Sequence, residues 1–252
     1  MKSSFVLSAF EKEQYALTTK AFEQIVQEMY GTNEEVRKEL EAFARKYGKD
    51  GVVTYKEARK WASRDDHRKR LTVLFLYICL CYDRLFPKIE KIMENHLKTI
   101  IGNEYALFGK KPPDYKAMEK PWGIQDKTWR DNLHGYRRRW EAINMRDVRL
   151  GVLRSDPVDE MIAEYDRQAE RERNLINALL VTETTAIGSI ARGEILKELG
   201  ETKYRIYTRP DERRCEHCAS LHGRVFPFSA YRVGETAPPF HTRCRCWIEQ
   251  EG

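Results

Sequence analysis

The chain has 252 residues, a third of them charged, and a formal net charge of +6. That length suffices to bury one or two apolar cores, and the mild positive excess permits acidic partners while excluding a histone-like polycation. The longest apolar run, "LTVLFLYICLCY" from Leu71 to Tyr82, is twelve residues long, against the roughly twenty that a bilayer-spanning helix needs, so a membrane span is excluded as well.

Met1 to Ala9 carry one lysine and a short apolar run with no cleavage-like end, and do not read as an export signal. Apolar positions at helical spacing then predict a helix from Ser8 to Tyr30, closed before Gly31. A second helix is expected from Asn33, as its cap, to Tyr47 before Gly48. Thr54 reads as the cap of a third, which continues through the apolar run and past a kink at Pro87 to Ile101. Cys79 and Cys81 stand two apart on that helix and point in different directions. They suit neither a chelate nor a disulfide and read as small apolar filler.

Gly109 to Gly123, "GKKPPDYKAMEKPWG", has three prolines and no period, and reads as a linker or extended arm. Between Lys127 and Arg154 eight bases face three acids in a helical pattern. Arg137 to Arg139, flanked by Tyr136 and Trp140, could touch nucleic-acid phosphates. The simpler reading is a solvated face with aromatic rings beneath it. Ser155-Asp156-Pro157 opens a helix with proline at its first position, running from Val158 to about Leu199 and closed by Gly200. After that the texture alternates, and "KYRIYT", "GRVFPF" and "CRCWIEQ" read as three short strands.

The expected architecture is mainly α: an elongated helical body with a small α+β, zinc-stapled module at the C-terminal end. Its parts are an N-terminal helical region over 1–110, an arm and basic helical segment over 111–157, and a last region over 158–252 whose β-rich part is 203–252.

That β-rich part holds the chemistry. Cys215 to Cys246 contains four of the six cysteines and three of the six histidines. So small a set of strands buries little apolar surface and needs a staple. With no export signal the expected setting is the reducing cytosol of the cell, where such cysteines bind metal rather than pair. The spacing is C-x2-C, twenty-two residues, then H-x2-C-x-C. Zinc takes four ligands, and five are offered: Cys215, Cys218, His241, Cys244 and Cys246. Cys215 and Cys218 are the firmest, and His241 with Cys244 is favoured for the remaining places, with Cys246 close behind. His217 reads as exposed and His222 as a turn residue. No phosphate-binding glycine loop, nucleophile elbow or deaminase pattern occurs. No catalytic residue is therefore expected, and the zinc is expected to be structural. The competing reading is a zinc-containing nucleic-acid-binding protein or nuclease, using His217 and His222.

Five short motifs in order carry a resemblance: Thr182-Glu183, "YRIYT", "DERRCEHC", "LHGRVF" and "PPFHTRCRC". From about Asp159 to Trp247 the chain resembles the phage head-morphogenesis family, the Mu F-like minor head proteins of tailed bacteriophages. Members often have Pro-Asn between the His and the Cys, where this chain has Thr242-Arg243. The resemblance implies a minor capsid protein of the virion, assembled in the bacterial cytoplasm and present in several copies. Its implied partners are the portal or major capsid protein and, weakly and without sequence preference, packaged double-stranded DNA. It implies roles in head assembly and in DNA packaging or ejection. Glu183, within the Thr-Glu motif, reads either as a contact for the metal module or as a helix-face carboxylate paired with a base.

Overall fold

The computed structural model describes residues 4–53, 64–123 and 127–251. Helices dominate: α1 Ser4–Tyr47, α2 Arg64–Leu107, the single turn α3 Tyr115–Met118, α4 Trp129–Arg154, α5 Val158–Glu198 and the short α6 Glu216–Leu221. The strands are β1 Lys203–Tyr207, β2 Val225–Pro227 and β3 Trp247–Gln250. They form one antiparallel sheet in the order β2-β1-β3. No helix among the described residues is long and apolar enough to cross a membrane.

Two helix boundaries differ from expectation. Gly31 does not end a helix, because α1 passes through it as far as Tyr47. Burial explains why. Met29, Val36 and Leu40 are fully buried on either side, which outweighs the roughly 1 kcal/mol a mid-helix glycine costs. Asn33 is accordingly not a cap. It is buried, and its Oδ1 accepts from the Tyr165 hydroxyl at 2.9 Å. Likewise α2 continues past Gly102 to Leu107, with Pro87 on its exposed side. The expected cap at Thr54 lies outside the described residues.

The chain divides into two compact units, and each of the four long helices contributes to both. One comprises Gln24–Lys91 and Leu133–Leu175. At its centre Trp140 is fully buried and stacks on Tyr82 with ring centroids 4.8 Å apart. Asn144 donates to Tyr82 Oη at 2.8 Å, and Tyr82 to Tyr165 Oη at 3.3 Å. Arg137 pairs with Glu141 and with Asp83, while Arg138 and Arg139 are exposed. This is the arrangement of a solvated face over buried rings. Cys81 is buried and Cys79 half-buried. Burial raises both thiols above their ordinary range.

The other unit comprises Met1–Glu23, Ile92–Asn132 and Ile176–Gly252. Its strand module packs Leu196 of α5 against Tyr204, Ile206, Leu221, Ala237 and Ile248, ringed by Phe226, Phe228 and Tyr231. The register sets Tyr204 opposite Phe226 and Ile206 opposite Ile248. Gly193 lets this core reach the helix. A Cβ there would come within 2.5–2.7 Å of the Tyr231 ring, which donates its hydroxyl proton to the Ser189 carbonyl at 2.5 Å.

Candidate metal centre

The two cysteine arms arrive on different local structures. Cys215 caps α6, and the Cys218 N–H donates to its sulfur at 3.4 Å. The second arm is a tight turn, with the Cys244 N–H donating to the His241 carbonyl at 3.1 Å. Arg243 in that turn has φ 62°, a left-handed conformation that asparagine or glycine adopts more easily than arginine.

The arms meet. Nε2 of His241 lies 3.3 Å from Cys215 Sγ and 3.1 Å from Cys218 Sγ. Cys218 Sγ lies 3.9 Å from Cys244 Sγ. Around a tetrahedral zinc with ordinary bond lengths, sulfurs stand about 3.8 Å apart and sulfur and nitrogen about 3.5 Å. These separations around Cys218 are close to those such an ion sets. Two triplets each have all their ligand atoms within 4.8 Å: Cys215, Cys218 and His241, and Cys218, Cys244 and Cys246. Cys218 belongs to both. Nδ1 of His241 sits 2.8 Å from the Thr242 carbonyl. A carbonyl only accepts, so Nδ1 carries the proton and Nε2 turns its lone pair to the sulfurs.

The electrostatics point the same way. Hydrogen bonds from Cys218 and Cys246 hold the Cys244 thiol well below its usual range. Those two thiols are themselves pushed up, chiefly by their bonds to Cys244 and by burial. Three sulfurs so close do not ionise together on their own. A divalent cation bound there would supply the missing positive charge.

His217 and His222 stand outside this group. His217 is exposed and meets Phe240 edge to face. His222 takes the Thr208 N–H on Nδ1 at 3.2 Å and closes the turn after α6.

Helix α5 supplies residues that the spacing did not reveal. Thr182 Oγ1 accepts from the Arg243 N–H at 2.8 Å, and Thr185 Oγ1 donates to the Cys244 carbonyl at 2.6 Å. Two hydroxyls, three apart on one helix face, thus grip the ligand turn by its backbone. Their i, i+3 spacing was the available signal. Glu183 turns elsewhere. Its carboxylate accepts from the Trp122 indole N–H at 3.0 Å, so its partner is the arm and not a base. Burial pushes its carboxyl up to about 7 against that bond. The arm passes so close to the module that a Cβ at Gly234 would stand 2.9 Å from Gly123 Cα.

Farther along α5, Arg192 is buried. It forks onto Glu104 at 2.9 and 2.8 Å, pairs with Glu11 at 2.6 Å and donates to the β3 carbonyl of Ile248 at 3.1 Å. Burial pushes the Glu104 carboxyl up to about 7 in opposition to that guanidinium.

A helical protein carrying a metal-competent cysteine module docked on its last long helix is the class that this fold and site define. Residues 142–249 match the model of the family described as Phage Mu protein F like protein. The match begins inside α4, earlier than the motif resemblance near Asp159. It supports a phage head-morphogenesis protein, with a capsid-related setting. No curated protein and no solved structure matches the chain.

Proposed function

We propose that this chain is a structural minor head protein of a tailed bacteriophage. It binds the portal or the inner face of the capsid shell during head assembly and serves DNA packaging or ejection there. The family match over 142–249 carries this reading. Zinc, held by Cys218 and three of Cys215, His241, Cys244 and Cys246, fixes the fold of the strand module and does not turn over substrate. The non-catalytic reading is supported by the five protein ligands gathered around Cys218, and by His217 and His222 both lying outside that group. Contact with packaged DNA is weak. Arg245 is already spent on Asp211 at 2.5 and 2.7 Å, and Arg137 on Asp83 and Glu141.

The test is retention of the full chain by the cognate portal or major capsid protein at physiological salt. Failure to bind either, together with tight DNA binding that weakens steeply with salt, would replace this reading with the nucleic-acid one. Metal-dependent cleavage of DNA that His217→Ala or His222→Ala abolishes would overturn the non-catalytic part.

A further inference from the structure

The unit that holds the metal cluster also encloses a cavity of about 330 Å³, at the small end of the range for ligand pockets. It is lined by α1, α2, α5, the loop after β1 and the start of β3.

Three features of its lining point to one kind of occupant. The first is an unanswered donor. Gln14 is 4% exposed, and its Oε1 accepts from Asn103 Nδ2 at 3.1 Å. Gln14 is among the lining residues, and its buried Nε2 has no partner among the described residues. A buried amide donor in that position calls for an acceptor oxygen.

The second is charge. Lys12 is exposed at the cavity, and the guanidinium carbons of Arg209 and Arg245 lie 4.5 and 5.8 Å from the centroid of the Tyr15 ring. One carboxylate, Asp211, answers both arginines, at 3.7 Å from Arg209 and 2.5 Å from Arg245. With Arg245 taken up by Asp211, Lys12 and Arg209 are left to meet an anion. The deeper set places one guanidinium, Arg192, against two carboxylates, Glu104 and Glu11, so the lining as a whole carries four cations against three carboxylates. The third is apolar wall, from Ile100, Val181, Trp247 and Ile248.

We infer that this cavity captures the carboxy-terminal end of a polypeptide whose last side chain is apolar. The terminal carboxylate meets Lys12 and Arg209, the latter only 3.7 Å from Asp211, while Arg245 stays forked on that aspartate. A backbone carbonyl accepts from Gln14 Nε2, and the side chain fills the apolar wall. Such an end offers an anion, a second acceptor and an apolar body together, which a simple acyl chain does not. Capture of this kind requires no particular role in head assembly.

The experiment is calorimetric titration of the metal-loaded full chain with N-acetyl-Ala-Leu as free acid, the same dipeptide as C-terminal amide, and octanoate. For so small a ligand a Kd on the order of 0.1–1 mM is expected for the acid. The amide and octanoate should each bind at least about tenfold more weakly, the loss a charge-assisted or buried hydrogen bond carries. Lys12→Gln and Arg209→Gln, on accessible side chains, should weaken the acid by about tenfold without changing metal content or helical ellipticity. Gly188→Leu should abolish binding, since a Cβ there meets Glu104 Oε1 at 3.5 Å and Ile100 Cγ2 at 3.9 Å in ordinary contact and the longer side chain enters the space. Acid and amide binding equally would overturn the inference, as would octanoate matching the dipeptide acid. No heat from any probe up to about ten times the expected Kd, or full binding by Gly188→Leu, would also overturn it.

Discussion

Replacing Arg192 by methionine tests whether α5 sets the position of the strand module. The side chain is 2% exposed and holds four polar contacts: two to Glu104, one to Glu11 and one to the Ile248 carbonyl. Methionine keeps most of the volume and none of those bonds. Breaking a buried ion pair from one side costs about 3–5 kcal/mol, because the remaining charge is stranded. Here Glu104 has a way out. Its carboxyl already stands at about 7 with Arg192 opposing burial, so without Arg192 it takes up a proton and sheds the stranded charge. The expected loss is therefore at the lower end, about 3 kcal/mol, a large part of the roughly 5–15 kcal/mol of a typical domain. Urea unfolding followed by circular dichroism and by indole fluorescence measures it. Adding Glu104→Gln to Arg192→Met should cost less than the two single losses summed, with a coupling of about 1–3 kcal/mol. A loss below about 1 kcal/mol, or strict additivity in the double variant, would refute the reasoning.

Wild-type protein prepared without chelator should hold about one zinc per chain; Cys218→Ser, which removes the ligand common to both triplets, should hold almost none and lose the strand module while keeping its helical ellipticity. Metal analysis with circular dichroism checks both. His96, buried between Thr18 and Thr184 with its pKa lowered to about 4 by burial, stabilises the fold fully above its unfolded value near 6.5 and progressively less as pH falls toward 4. The stability gap between wild type and His96→Gln should narrow by about 3 kcal/mol over that window, measured by urea unfolding. Arg243→Asn, which better tolerates the left-handed backbone at φ 62°, should raise the stability of the module by up to about 1 kcal/mol, read as a higher Tm.

The strands were legible because "KYRIYT" alternates, and Tyr204 and Ile206 do face the core while Arg205 and Tyr207 are half-buried. The helical class was legible from periodicity, yet Gly31 and Gly102 misled at the boundaries. A glycine is a local signal, and the burial of Met29 and Val36 that overrides it is tertiary. The five candidate ligands could be named from spacing, since a metal fixes which residue types recur and how far apart. What grips the ligand turn could not. Thr182 and Thr185 look like ordinary helix-face residues until the turn with Arg243 lies against them. The indole partner of Glu183 was hidden for a similar reason, because Trp122 lies some sixty positions away in an aperiodic arm.

The contacts of α5 with the strand module lie in a line. Thr182, Thr185, Ser189 and Arg192 take hold of Arg243, Cys244, Tyr231 and Ile248 respectively. Ten residues of helix separate the first from the last, about 15 Å at helical rise. A force directed along the helix axis loads all four attachments at once, so they must yield together. A force directed across the axis loads the end contact first and opens them in succession. The seam is therefore mechanically anisotropic, stiff to sliding and comparatively soft to peeling.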